Sequence, residues 1–152
     1  MPAGTEARPH TLGIRLPNPP APGGNYLSAK TVGPVVYLAG AVSTNATGVI
    51  TGTVGVDRTI ADGYAAARAC ALTLLAVLRR HLGTLDIGRG IIAVHGYVNA
   101  VTGFADSPQV INGASDLLLE VFGDAGRHAR AAIGVSALPR NALVEVEKAV
   151  EV

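Results

Sequence analysis

Tryptophan is absent from these 152 residues, cysteine and methionine occur once each, and aromatic side chains make up only 4% of the chain. A single cysteine excludes an intrachain disulfide, and Cys70 sits inside an apolar helical pattern, where a buried and inert thiol is expected. Charge is scarce at 15% of residues, and 12 basic against 11 acidic side chains leave a net charge of +1. These charges are scattered, so no basic stripe marks a nucleic-acid surface. Uninterrupted apolar runs fall far short of the ~18 residues that a membrane span requires. The opening MPAGTEARPH has no charged segment leading into an apolar one, which predicts no signal peptide and a cytoplasmic protein. The histidines His10, His81, His95 and His128 show no ligand spacing, so no metal site is expected. The glycines of GVITGTVGV do not follow a strand-to-helix turn in phosphate-loop spacing, and turns or bulges account for them.

What is abundant is small and apolar: 49% of residues are hydrophobic and 19 are glycine. The length suits one domain with a sizeable core. So much apolar surface for so few charges predicts burial between subunits as well as within one chain, and hence an oligomer.

Residues 1–25 are rich in proline and glycine, which favours an extended arm over a helix. A hairpin follows, Tyr26 to Thr31 and Val35 to Ala41, turning at Gly33-Pro34. Residues 49–56 read as an edge strand weakened by its glycines. From Asp57 the period becomes helical: Ile60, Tyr64, Ala67, Ala71, Leu74, Leu75, Leu78 and Leu82 form one stripe, with Asp57 or Thr59 as cap and Gly83 as stop. Gly90 to Val101 reads as a central strand, and Ser107 to Phe122 as a second helix stopped by Gly123. The chain closes with a hairpin on either side of Leu138-Pro139-Arg140-Asn141. This order predicts an α+β single domain, one mixed sheet with two helices on one face.

In the closing hairpin, a register centred between Pro139 and Arg140 puts Gly134 across from Glu145, with Arg130 and Glu145 on the same face. Four residues of offset at ~3.3 Å each separate them by roughly 13 Å, a gap sized for a small carboxylic acid. Taken by itself, Arg130 also reads as a partner for Glu147 or Glu151 on a solvated face, and Glu145 as a surface residue. Tyr26 reads as amphipathic packing at a subunit boundary, and His128 is the one histidine placed to tune charge near the cleft.

The run Ala129-Arg130, alternating small and apolar residues, Leu138-Pro139 and Val144-Glu145-Val146-Glu147 resembles the C-terminal signature of the YjgF/RidA family of reactive-intermediate deaminases, also called endoribonuclease L-PSP-like. The element order is similar to that family from Gly24 to Val152, with Tyr26 after a glycine-rich segment, Gly40 in the second strand and Asn112 near the start of the second helix. The resemblance implies a fold like that of the bacillus chorismate mutase over residues 26–152, a homotrimer, three clefts between subunits and no cofactor. It implies that Arg130 holds a substrate carboxylate and Glu145 positions a water. Tyr26, Gly40 through its amide and Asn112 help hold the substrate, and the Ala132 carbonyl helps hold the water. Deaminating members usually read Ser-Gly-Gln and Pro-Ala-Arg-Ser where this chain has Ala39-Gly40-Ala41 and His128-Ala129-Arg130-Ala131. Three polar side chains are thus methyl groups here, and the segments INGASDLL and FGDAGRHAR resemble a divergent branch.

The chemistry so implied is hydrolysis of small imines or enamines derived from amino acids: a guanidinium grips the carboxylate with two parallel hydrogen bonds, and the protein orients water and relays a proton. A different class of function, a non-catalytic trimer binding a small carboxylate as sensor, carrier or holdase, is favoured by Ala39, Ala41 and Ala131. A ribonuclease ranks third, because it needs a basic track and aromatic stacking that this composition lacks.

Overall fold

A computed structural model describes residues 4–152. The longest element is helix α2, Ile60–Leu82, and its ends follow from local chemistry. The Thr59 hydroxyl accepts from the Asp62 amide at 3.1 Å while the Asp62 carboxylate accepts from the Thr59 amide at 2.9 Å, a closed capping box. Gly83 ends it at φ 83°, and its amide donates to the Arg79 carbonyl. By length and composition α2 is apolar enough to cross a membrane, yet its stripe of Ala67, Cys70, Ala71, Leu74, Leu75 and Leu78 is buried in the domain core. Helix α3, Ser107–Phe122, packs across it. The crossing point is Gly113: a Cβ there would stand 2.0 Å from the Tyr64 carbonyl oxygen, so the backbones meet without a side chain between them.

Both helices cover one face of a five-stranded sheet ordered β1-β2-β7-β5-β6. Its strands are β1 Ala29–Val32, β2 Val35–Val42, β5 Gly90–Asn99, β6 Ala129–Val135 and β7 Val144–Glu151, and a small separate ladder joins β3 Thr44–Asn45 to β4 Gly48–Val49. Val36, Leu38, Val94, Val98, Val144, Val146 and Val150 point into the core under the helices. The opposite face carries Tyr37, His95, Tyr97, Glu145, Glu147 and Ile133, of which Tyr37 is 55% and Ile133 50% exposed. The α+β class, the mixed sheet, the two helices with their stops and the β1-β2 hairpin agree with the sequence reading.

Three expectations are corrected. The closing hairpin does not exist: β7 pairs antiparallel with both β2 and β5, and β6 pairs in parallel with β5, which lies between them. Residues 136–143 are too long for a tight hairpin loop and carry the chain past one intervening strand instead. The strand expected over 49–56 is broken by Gly52 at φ 126° and Gly55 at φ 91°, leaving β4 and the isolated bridges Thr51↔Ala142 and Val54↔Ala100. The amino-terminal arm is not wholly extended: a short 3-10 turn, Thr5–Ala7, leads into the four-residue helix α1, Arg8–Thr11. That turn is clipped to the end of α2, where the Glu6 carboxylate accepts from the Leu85 amide at 2.7 Å and lies 3.7 Å from Arg79. Residues 1–3 of the expected arm lie outside the described residues.

One charge is misplaced for a core. Lys148 is 4% exposed on the helix-facing side of β7, between Leu38 and Val94, and its ammonium has no hydrogen-bond partner among the described residues. Burial lowers its pKa from 10.5 to about 7. Between those values the unfolded chain binds the proton and the folded chain does not, so stability rises with pH across that window; below about 7 the full burial cost is present. Lys148→Met should therefore raise the stability at pH 7 by on the order of 3 kcal/mol, with the advantage over wild type shrinking toward pH 10. Urea denaturation of both proteins at the two pH values checks this, and a constant difference would show that Lys148 is not buried as a free amine.

Candidate functional site

The sequence-predicted residues fall into two groups on opposite faces of the sheet. Arg130 on β6 registers with Val94 of β5, and Glu145 on β7 registers with Tyr97, three positions further along the same strand. Strand side chains alternate, so an odd offset turns them to opposite sides. The expectation that both project from one face is overturned, and its cause is the intervening β5.

On the helix side, Arg130 reaches α3. Its Nη1 donates to Asn112 Oδ1 at 2.7 Å and to Ser115 Oγ at 3.1 Å, and its Nη2 to the Pro108 carbonyl at 3.4 Å. Asn112 and Ser115 stand three residues apart and so share a helix face. His128 completes the chain. Its Nδ1 lies 2.6 Å from the Gly126 carbonyl, which can only accept, so the neutral ring carries its proton there and Nε2 accepts from Ser115 Oγ at 2.9 Å. Burial is the main cause holding the His128 pKa below its ordinary value; the bond to Gly126 opposes it, and the nearby Arg130 and Lys148 charges reinforce it. The ring is therefore neutral at pH 7, and the proton order runs from Arg130 to Ser115 to His128 to Gly126. Arg130 makes no ion pair with a carboxylate among the described residues, so the solvated pairing with Glu147 or Glu151 is not formed. Ala132 lies two residues on, along the same edge strand, opposite Gly96.

Glu145, Gly40, Tyr26, Ala39, Ala41 and Arg140 line a cavity of about 1230 Å³ that also reaches Leu72, Thr73 and Val77 of α2. Gly40 and Glu145 are in close approach: a Cβ on Gly40 would stand 2.7 Å from Glu145 Oε1, the far end of a side chain that can swing aside. Burial, and secondly the charge of Glu147, raises the Glu145 pKa above its ordinary value, as befits a carboxylate that takes up a proton. Tyr26 precedes β1 instead of opening it, and its hydroxyl accepts from the Gly23 amide at 3.1 Å. Glu147 is engaged by Tyr97, whose hydroxyl donates to it at 2.7 Å, and by His95 at 3.4 Å; the bond to Glu147 is the main reason the Tyr97 pKa is pushed up to about 12. Sequence reasoning missed Ser115 and Arg140. The spacing of Ser115 from Asn112 was the available signal for the first, and nothing in the pattern marked the second.

A model of the YjgF/chorismate mutase-like endoribonuclease family matches residues 6–152. The chain belongs to this family. Protein TCP17 of Trypanosoma cruzi is 43% identical over 142 residues, covering 92% of this chain and 89% of the relative. Among solved structures of the same YjgF/RidA group, one from Shewanella oneidensis, described as an endoribonuclease candidate, is 34% identical with a TM-score of 0.93 over 97% of this chain and 99% of its own. Atu1372 from Agrobacterium tumefaciens, of unknown function, is 38% identical with a TM-score of 0.87 over 97% of this chain and 91% of its own.

The Gly40 contact gives a direct test of the open half of this YjgF/RidA site. Gly40→Ala should push the flexible end of Glu145 outward and so return its pKa toward the ordinary carboxylate value, with a stability change below about 1 kcal/mol because no core atom moves. NMR titration of the Glu145 carboxyl carbon reads the shift. An unchanged titration would mean that Gly40 does not set the position of Glu145.

Proposed function

We propose that the protein hydrolyses small imine or enamine intermediates derived from amino acids, in clefts completed between copies of a homotrimer. The observation that carries this reading is the Arg130 guanidinium: it is oriented by Asn112 and Ser115, lacks a carboxylate partner among the described residues, and so is pre-organised for an anion from outside the chain. The half-site holding Glu145 faces the other way, and two halves of this kind meet only when a neighbouring copy presents one to the other. Exposed Tyr37 and Ile133 on the uncovered sheet face supply apolar area for that association.

In the completed cleft Arg130 binds the substrate carboxylate. Glu145 removes a proton from a water as the water oxygen bonds to the protonated imine carbon, giving a carbinolamine. That proton passes from Glu145 to the amino nitrogen; as the C–N bond breaks, the hydroxyl oxygen forms the C=O bond and its proton leaves through Glu145 to solvent, releasing ammonia and a 2-oxo acid. Tyr26 and the Gly40 amide line the substrate's side of the cleft, and the Ala132 carbonyl offers the water a second acceptor. No cofactor enters this balance. Because the base must be ionised, turnover falls as pH drops through the raised Glu145 pKa.

A carboxylate-binding trimer without turnover is the second reading, favoured by the methyl groups of Ala39, Ala41 and Ala131 at positions that are polar in deaminating relatives. Generating 2-iminopropionate or 2-iminobutyrate in place and following its disappearance separates the two. Wild type should accelerate the loss, Arg130→Ala should abolish it with the trimer intact by light scattering, and Glu145→Gln should lower turnover by roughly 10²-fold or more while 2-oxobutyrate still binds. Binding without acceleration leaves the second reading. A monomer at micromolar concentration sinks both, because neither cleft forms. Ribonuclease activity, suggested by the description of the family and the names of some structural relatives, should be absent from the same preparation.

A further inference from the structure

The geometry points to Arg140 as the anchor for a second acidic group, so that the cleft of the proposed deaminase selects dicarboxylic imines over monocarboxylic ones. This rests on the reading above, in which Arg130 takes the first carboxylate.

Arg140 lies in the segment between β6 and β7 and lines the same cavity as Glu145, Gly40 and Tyr26. One Nη2 stands 3.9 Å from the point where a Cβ on Gly23 would lie, and the Tyr26 hydroxyl stands 3.8 Å from that same point, so guanidinium and phenol flank Gly23 on the cavity wall. Among the described residues Arg140 forms neither an ion pair nor a side-chain hydrogen bond, although Glu145 and Glu147 line the cavity with it. An unpaired arginine on a free surface would be unremarked, but this one stands on a built loop. Arg140 and Asn141 both adopt left-handed backbone, at φ 55° and 54°, which costs L-residues on the order of 1 kcal/mol each. The strain is held by the Asn141 amide on the Leu138 carbonyl at 3.1 Å, the Ala142 amide on Pro139 at 3.1 Å and the Gly52 amide on Asn141 at 3.1 Å. Asn99, 3% exposed, directs its Nδ2 to the Ala142 carbonyl at 3.2 Å and to Asn141 Oδ1 at 3.4 Å. A buried amide is thus spent on fixing a strained turn that delivers one cation to the site.

The product-side acids 2-oxobutyrate and 2-oxoglutarate serve as probes by calorimetric titration of the assembled protein. Wild type should bind 2-oxoglutarate at least tenfold more tightly than 2-oxobutyrate. Arg140→Asn, whose replacement tolerates left-handed backbone, should erase that preference and leave 2-oxobutyrate affinity within twofold. Arg140→Glu should invert the preference, and Arg130→Ala should lose both acids. Equal wild-type affinity for the two, or an equal loss of both in Arg140→Asn, overturns the role of Arg140 while leaving the Arg130 clamp standing. Failure of wild type to bind either acid overturns the clamp, and the Arg140 inference with it.

Discussion

The placement of β5 between β6 and β7 governs what this chain can do. Were the last two strands a hairpin, one sheet face would hold both a cation and a base, and a single chain would contain a complete cleft. With β5 interposed, Arg130 is committed to the helices and Glu145 to the open face, so each chain presents a guanidinium in one direction and a carboxylate in the other. The helices deepen this asymmetry. Their close crossing at Gly113 leaves them side by side over one face, and among the described residues no helix packs on the other.

The helices were readable because their stripes, caps and stops are local: Thr59 with Asp62, and Gly83 and Gly123 at the ends, need no knowledge of the rest of the chain. Strand neighbours were not readable in the same way. An alternating run such as 129–135 fixes which residues share a face and leaves open which strand lies alongside, and Leu138-Pro139-Arg140-Asn141 looks equally like a hairpin turn and like a longer passage. The family resemblance identified Arg130, Glu145, Tyr26, Gly40 and Asn112, and the structure gives Asn112 a contact with Arg130 and Gly40 a contact with Glu145. Ser115 escaped because a serine in mid-helix usually has only a local bond to make. Lys148 falls on the core-facing side of the alternation along β7, where a lysine contradicts its surroundings.

The departures from the deaminating pattern are partly offset within the Arg130 half. Ala131 provides no hydroxyl, but Ser115 on α3 and His128 supply a hydroxyl and an imidazole on the arginine's other side. The polar groups around the guanidinium come from α3 and from His128, and they hold it in one orientation.

The amino-terminal segment has a consequence for the energetics of binding. Residues from Arg15 to Gly23 wall the cavity, and that wall is fastened at both ends: Glu6 is bonded to the turn after α2, and β1 is paired into the sheet. Prolines at 17, 19, 20 and 22 narrow its backbone freedom between those anchors. Its ordering entropy is therefore lost when the chain folds, not when a ligand arrives, and a guest meets a boundary already in place.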